Sequence, residues 1–135
     1  MTKDQMVIRT DFSNQEAWEK IRDILGAPIG TFDSKVVFVD DPDFKGATKG
    51  QLLGLIRSSC THSFAVIVDE RSILDPDHPL LIVDLRDTLG REFRAIPSSV
   101  QGIETTLSMA FMGFDHLADA VDGQGVFRGM REFGL

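Results

Sequence analysis

The sequence predicts an α/β protein of mixed α+β character. One globular domain spans residues 1–135, built on a single-layer, mixed five-stranded sheet with helices packed on it, in the order β-α-β-α-β-β-β-α-α. Three observations carry this prediction. Short runs rich in Val, Ile and Leu recur, and each stops at an acid: residues 7–10 before Asp11, 36–39 before Asp40 and Asp41, 64–68 before Asp69 and Glu70, and 80–83 before Asp84. Such runs, bounded by turn formers, read as buried strands. Between the first three lie stretches with apolar residues at helical spacing, and strand–helix–strand succession yields parallel pairing through right-handed crossovers. After the third run, the two prolines of Asp75-Pro76-Asp77-His78-Pro79 leave no room for a crossover helix, so the fourth strand returns antiparallel.

The elements follow in order. Behind the first strand, Ser13 and Glu16 have capping-box spacing, and Ala17, Trp18, Ile21, Ile24 and Leu25 form the apolar stripe of a helix that stops at Gly26 and Pro28. The second strand starts about Lys35. Thr48 and Gln51 repeat the capping-box spacing ahead of Leu52, Leu53, Leu55 and Ile56, with Gly50 and Gly54 weakening that helix. The third strand is apolar throughout, as a strand covered on both faces should be. Strands four and five, residues 80–85 and 92–96, form a hairpin around Gly90. Pro97 ends the fifth, Ser98 caps a helix with Gln101 at the reciprocal position, and Val100, Ile103, Leu107, Ala110 and Phe111 face inward. A short helix at 115–121 ends before Gly123, and the tail, about 126–135 with Phe127 and Phe133, is either docked or mobile.

The chain is long enough to bury roughly two-thirds of its unfolded surface. Its ten Phe, one Trp and absent Tyr favour core filling over polar recognition. The 21 acids exceed the 14 Lys and Arg, and the formal net charge is −7. With the cations scattered, nucleic-acid binding is not expected; the charge suits a basic protein partner or a metal. Cys60 is the single cysteine, which excludes an intramolecular disulfide and a Cys-based zinc site. No apolar run reaches the ~20 residues that span a bilayer, and the N-terminus has no apolar signal segment, so no membrane association is expected and the cytoplasm is the default location.

Several segments together resemble a family of small uncharacterised bacterial proteins. They are Val7-Ile8-Arg9-Thr10-Asp11-Phe12-Ser13 with Trp18 downstream, Phe38-Val39-Asp40-Asp41-Pro42, His62-Ser63-Phe64, and Asp75-Pro76-Asp77-His78-Pro79. Val83-Asp84-Leu85, Gly90-Arg91-Glu92-Phe93-Arg94 and residues 114–129 complete the set, which covers nearly the whole chain. The resemblance implies a compact single domain; it carries no assigned activity, cofactor or catalytic residue.

The acids at strand ends are the first candidate site. Parallel strands one to three bring Asp11, Asp40, Asp41, Asp69 and Glu70 to one sheet edge, where ligands of open α/β sheets bind. A reversed fourth strand starts at that edge and adds His78, while Asp84 falls at the opposite one. Carboxylates suit Mg²⁺ or Ca²⁺, and a metal set would draw on Asp40, Asp41, Asp69 and His78. The competing reading is that helix N-termini and turns attract acids without any ligand. Cys60 and His62, two apart at a strand entry, would share a face as a nucleophile pair, against a plainer role as buried filler. Arg9 should pair with Asp11 and Arg94 with Glu92, each on its own strand face. The glycines form no phosphate loop.

No coherent catalytic set emerges, and an enzyme is the less favoured class. The leading expectation is a non-enzymatic, acidic protein-binding module of immunity-like or regulatory type, with no cofactor. The alternative is a small divalent-metal-dependent hydrolase or phosphoryl-handling enzyme on the acidic edge, with Mg²⁺ or Ca²⁺. A homo-oligomer joined through a sheet edge or the Phe-bearing tail is a third reading.

Overall fold

The computed structural model describes residues 4–26, 36–108 and 113–129. In chain order the elements are β1 (Gln5–Arg9), α1 (Gln15–Gly26), β2 (Val36–Val39), α2 (Lys49–Ser59), β3 (Phe64–Val68), α3 (Glu70–Leu74), β4 (Leu80–Asp84), β5 (Glu92–Ala95), α4 (Val100–Ser108), α5 (Phe114–Asp119) and β6 (Val126–Phe127). Single 3-10 turns, Pro42–Phe44 and Pro97–Ser99, precede α2 and α4.

All six strands form one mixed sheet in the order β2-β1-β3-β4-β5-β6. The pairs β1·β2, β1·β3 and β5·β6 are parallel; β3·β4 and β4·β5 are antiparallel. Period-two alternation sends successive residues of the central strands to different cores. Val7, Phe64, Val66, Leu80, Ile82 and Phe93 pack with Trp18 and Ile21 of α1, Ile103 of α4 and Leu117 of α5. Met6, Ile8, Ala65, Ile67, Leu81 and Val83 pack with Leu52 and Ile56 of α2. The first crossover moves outward from β1 to β2 and the second returns past β1 to β3. Right-handed crossovers in opposite directions place α1 and α2 on opposite faces. The strand order therefore reverses between β1 and β3, and their carboxyl ends flank a switch point.

The mixed α/β class and the antiparallel return of β4 match the sequence expectation, but three details differ. A sixth strand exists: Val126 and Phe127, buried at 2% and 0% exposure, pair with β5 opposite Arg94 and Ala95. The tail up to Gly129 is thus docked. Asp122 holds it, accepting from the Gln124 and Val126 amides and from Arg128 Nε at 2.6 Å. Arg128 and those amides hold the Asp122 carboxyl at about 2. Second, a short helix, α3, occupies the β3–β4 connection ahead of the prolines. Asp69 and Ser72 cap it reciprocally. It is too short to reverse the sense of the connection. Third, α1 is capped by Asn14, whose Oδ1 accepts from the Ala17 amide at 3.1 Å, while Ser13 bonds Asp11 instead.

The capping box of Thr48 and Gln51 forms as expected. Ser98 does not cap α4: Pro97–Ser99 make a 3-10 turn without a side-chain cap, and α4 starts at Val100. The expected strand start at Lys35, the stop at Pro28, the inward Ala110 and Phe111, and Phe133 lie outside the described residues. No helix among the described residues is long and apolar enough to cross a membrane.

Candidate functional site

The carboxyl ends of β2, β1 and β3 share one edge because the three strands run parallel. The register aligns Ile8 with Val39 and Arg9 with Val68, so Asp40, Asp11 and Asp69 follow their strands within one short stretch. Most of these acids are already engaged within the fold.

Asp40 is bound to Arg9, which is only 3% exposed. Arg9 Nη1 donates to Asp40 Oδ1 at 3.2 Å and to Gln15 Oε1 at 2.9 Å, and Nε donates to the Asp11 carbonyl at 3.1 Å. The guanidinium lies 4.3 Å from the Phe12 ring centroid and 5.2 Å from that of Trp18. A buried guanidinium needs a charge partner and hydrogen bonds, and it has both here. The expected Arg9–Asp11 ion pair does not form. The chain leaves extended geometry after Arg9, which turns the Asp11 carboxylate onto Ser13, while β2 alongside supplies Asp40.

Asp69 is gripped by Arg94 through two bonds, Nη1 to Oδ1 at 2.8 Å and Nη2 to Oδ2 at 2.7 Å. The same Asp69 Oδ1 accepts from the Ser72 amide at the start of α3. Burial pushes the Asp69 carboxyl up, but Arg94 and Ser72 pull harder and leave it below its ordinary value. This corrects the expected Arg94–Glu92 pair. Glu92 is taken by Lys49 of α2 at 2.7 Å, which frees Arg94 to reach across the sheet.

Asp41 accepts from the Asp43 amide and starts the 3-10 turn before α2. Glu70 stands exposed in the first turn of α3. His78 Nδ1 lies 2.8 Å from the Ser72 carbonyl; a carbonyl oxygen only accepts, so Nδ1 carries the proton. The prospective metal set of Asp40, Asp41, Asp69 and His78 is therefore dispersed among four internal tasks. Among the described residues no three His, Cys, Asp or Glu side chains are arranged to hold a metal ion.

The Cys60 and His62 side chains also separate, although the His62 amide donates to Cys60 Sγ at 3.3 Å. The chain bends at His62 and Ser63, so strand alternation does not yet apply. Cys60 is buried in the α2-side core, with Sγ 3.3 Å from the Asp4 carbonyl. His62 lies on the other face, Nε2 3.6 Å from Glu104 Oε1 of α4, with its ring against Phe64. Burial raises the Glu104 carboxyl; His62 opposes that and Asp4 adds to it.

At the far edge, Asp84 is 1% exposed and accepts from the amides of Arg86, Asp87 and Thr88 at 2.9, 3.1 and 2.8 Å. It is a loop clasp, placed beside Phe64 as the antiparallel return requires.

Beside an opening lined by Asp43, Phe44, Lys45 and Gly46, two more flank the acidic edge. One, of about 220 Å³, lies over the end of β1 and is lined by Thr10, Asp11, Phe12, Ser13, Lys45 and Gly46. The other, of about 300 Å³, runs between the start of α1 and the α3–β4 loop.

A family model described as a domain of unknown function, DUF6924, matches residues 4–130. The chain belongs to this family. The match spans every strand from β1 to β6, so the family domain includes the docked edge strand as well as the core of the sheet. A comparison with curated proteins finds no match.

Proposed function

We propose that this member of the family is a cytoplasmic, non-enzymatic protein-binding module, immunity-like or regulatory, whose acidic strand-end surface docks a basic protein. One observation carries the reading: the edge divides into acids neutralised by an arginine and acids that only cap local turns or stand exposed. Asp40 and Asp69 are neutralised by Arg9 and Arg94. Asp11, Asp41, Asp43 and Glu70 have no ion-pair partner among the described residues and sit along the same edge, on a chain of formal net charge −7. Unpaired surface carboxylates on a rigid frame raise the encounter rate with a cationic partner and penalise an acidic one. A metal-dependent hydrolase needs converging ligands, which the geometry of Asp40, Asp41, Asp69 and His78 does not supply.

The test is association with a basic protein encoded beside this one, followed by stopped flow. The on-rate should fall by on the order of tenfold or more between low and moderate salt, and again in the variant D11N/D41N/D43N/E70Q. Binding that is indifferent to both salt and the variant refutes the reading.

A further inference from the structure

We propose that the groove between α1 and the α3–β4 loop receives an apolar side chain of the basic partner, seated against Leu74. This rests on the acidic-module reading above and supplies its anchor point.

The groove, about 300 Å³, has the buried Ala17 and Ile73 as its floor and Leu74, Pro76, Glu16 and Asp75 along its sides. Leu74 is 63% exposed, beyond Leu89 at 45% and Ile24 and Leu55 at 37%. A lone exposed leucine is ordinary in itself. What sets Leu74 apart is the frame that presents it. It ends a five-residue helix whose first turn is capped by Asp69 and whose Ser72 hydroxyl donates to the Pro79 carbonyl at 2.9 Å. His78 closes back on the Ser72 carbonyl at 2.8 Å, and Arg94 binds both Asp69 and the Pro79 carbonyl. His78 holds φ at +50°, a left-handed conformation that a residue with a side chain adopts when its surroundings enforce it. A loop braced at so many points presents its leucine without an ordering cost on binding.

The surroundings select the partner's charge. Glu70 lies one turn before Leu74 on the same face of α3, Asp75 follows it, and Glu16 stands across the groove on α1. None of the three has an ion-pair partner among the described residues. Lys20 is the one Lys or Arg among the residues lining the groove. A segment carrying Lys or Arg on either side of a leucine-sized side chain matches the exposed Leu74 and the acidic rim. A second copy of this chain would set like-charged rims together and is disfavoured.

The full ¹⁵N-labelled chain should be titrated with two short cationic peptides of equal charge, one of Lys and Leu and the other of Lys and Ser. The Lys/Leu peptide should shift the Ala17, Leu74 and Asp75 amides saturably and bind about tenfold tighter, as partial burial of one leucine implies. L74S, at an exposed position, should bring the two peptides to the same weaker affinity. Equal binding by both peptides, with shifts centred on Asp41 and Asp43, overturns the groove and leaves the acidic docking surface standing. No saturable shift with either peptide overturns both. Concentration-dependent shifts at Leu74 in the free protein make a second copy the occupant and overturn the proposed partner.

Discussion

The Asp69–Arg94 pair is worth breaking first, because it joins β3, α3 and β5 and fixes the loop behind the acidic edge. Asp69→Asn keeps a side-chain oxygen to accept the Ser72 amide, so the α3 cap survives and the ion pair alone is lost. Arg94→Met keeps the aliphatic stem but leaves Asp69 unpaired. Exposed ion pairs contribute about 0.2–1 kcal/mol, and breaking a fully buried one costs about 3–5 kcal/mol. Asp69 and Arg94 are 27% and 17% exposed and share two short bonds, which places their coupling between these limits, at about 2 kcal/mol. Unfolding entropy of about 2.1 cal/mol/K per residue over 135 residues converts this to roughly 7 °C in Tm. A double-mutant cycle in urea measures the coupling. The pair also makes stability depend on pH. The folded carboxyl lies below the ordinary value of 3.8, so its stabilisation is complete above that pH and is lost as pH falls through the lower folded value. The wild-type cycle should therefore weaken below about pH 4, and Asp69→Asn should remove that slope. A coupling under about 0.5 kcal/mol near neutral pH refutes the reasoning, since it would mean that solvent screens the pair as if it were exposed.

Four further outcomes are expected. Glu104 is raised by burial, so its contribution to stability is full below the ordinary value of 4.5 and is lost as pH rises through the higher folded value; Glu104→Gln should raise Tm at neutral pH and flatten the decline of Tm that sets in above about pH 4.5. Asp84→Ala removes the buried acceptor of three part-buried amides and should cost about 1–3 kcal/mol in urea, with faster hydrogen exchange at Arg86, Asp87 and Thr88. Phe127→Ala empties a fully buried site and should cost about 3–5 kcal/mol, whereas a merely loosely docked tail would show almost no change. A carboxyl ¹³C titration should find Asp122 at about 2, and Arg128→Gln should move it up towards the ordinary range.

What the sequence reveals and what it hides divide along the reach of each interaction. Residues 64–68 and 80–83 read correctly as strands because burial on both faces leaves an unbroken apolar run. Thr48 and Gln51 were equally legible, since a capping box is confined to four residues. β6 escaped notice because two residues, Val126 and Phe127, are too short to show alternation; their strand character comes from β5 and from the Asp122 clasp. Helix α3 escaped for a related reason, although Asp69 followed by Ser72 at capping distance was a visible signal. The ion pairs were misassigned where the nearest acid in sequence was preferred. Arg9 and Arg94 look two residues along their own strands to Asp11 and Glu92, but their partners follow other strands, the adjacent β2 for Arg9 and β3, beyond β4, for Arg94, 31 and 25 positions away. Pairing of that kind depends on strand order, which no local pattern encodes.

Strand order also decides what the acidic edge is able to do. Recruiting Asp40 to a ligand would strip Arg9, at 3% exposure, of its charge partner, and an uncompensated buried charge costs about 3–5 kcal/mol. Recruiting Asp69 would release Arg94 and uncap α3 together, loosening the loop that holds Leu74 in place. Asp40 and Asp69 are thus committed to the frame, and the proposed docking falls to the acids that carry no ion pair among the described residues: Asp11, Asp41, Asp43 and Glu70. The division makes the surface both negative and stiff. The paired acids fix the loops from which the unpaired ones project, so the proposed basic partner would meet carboxylates that are already in place.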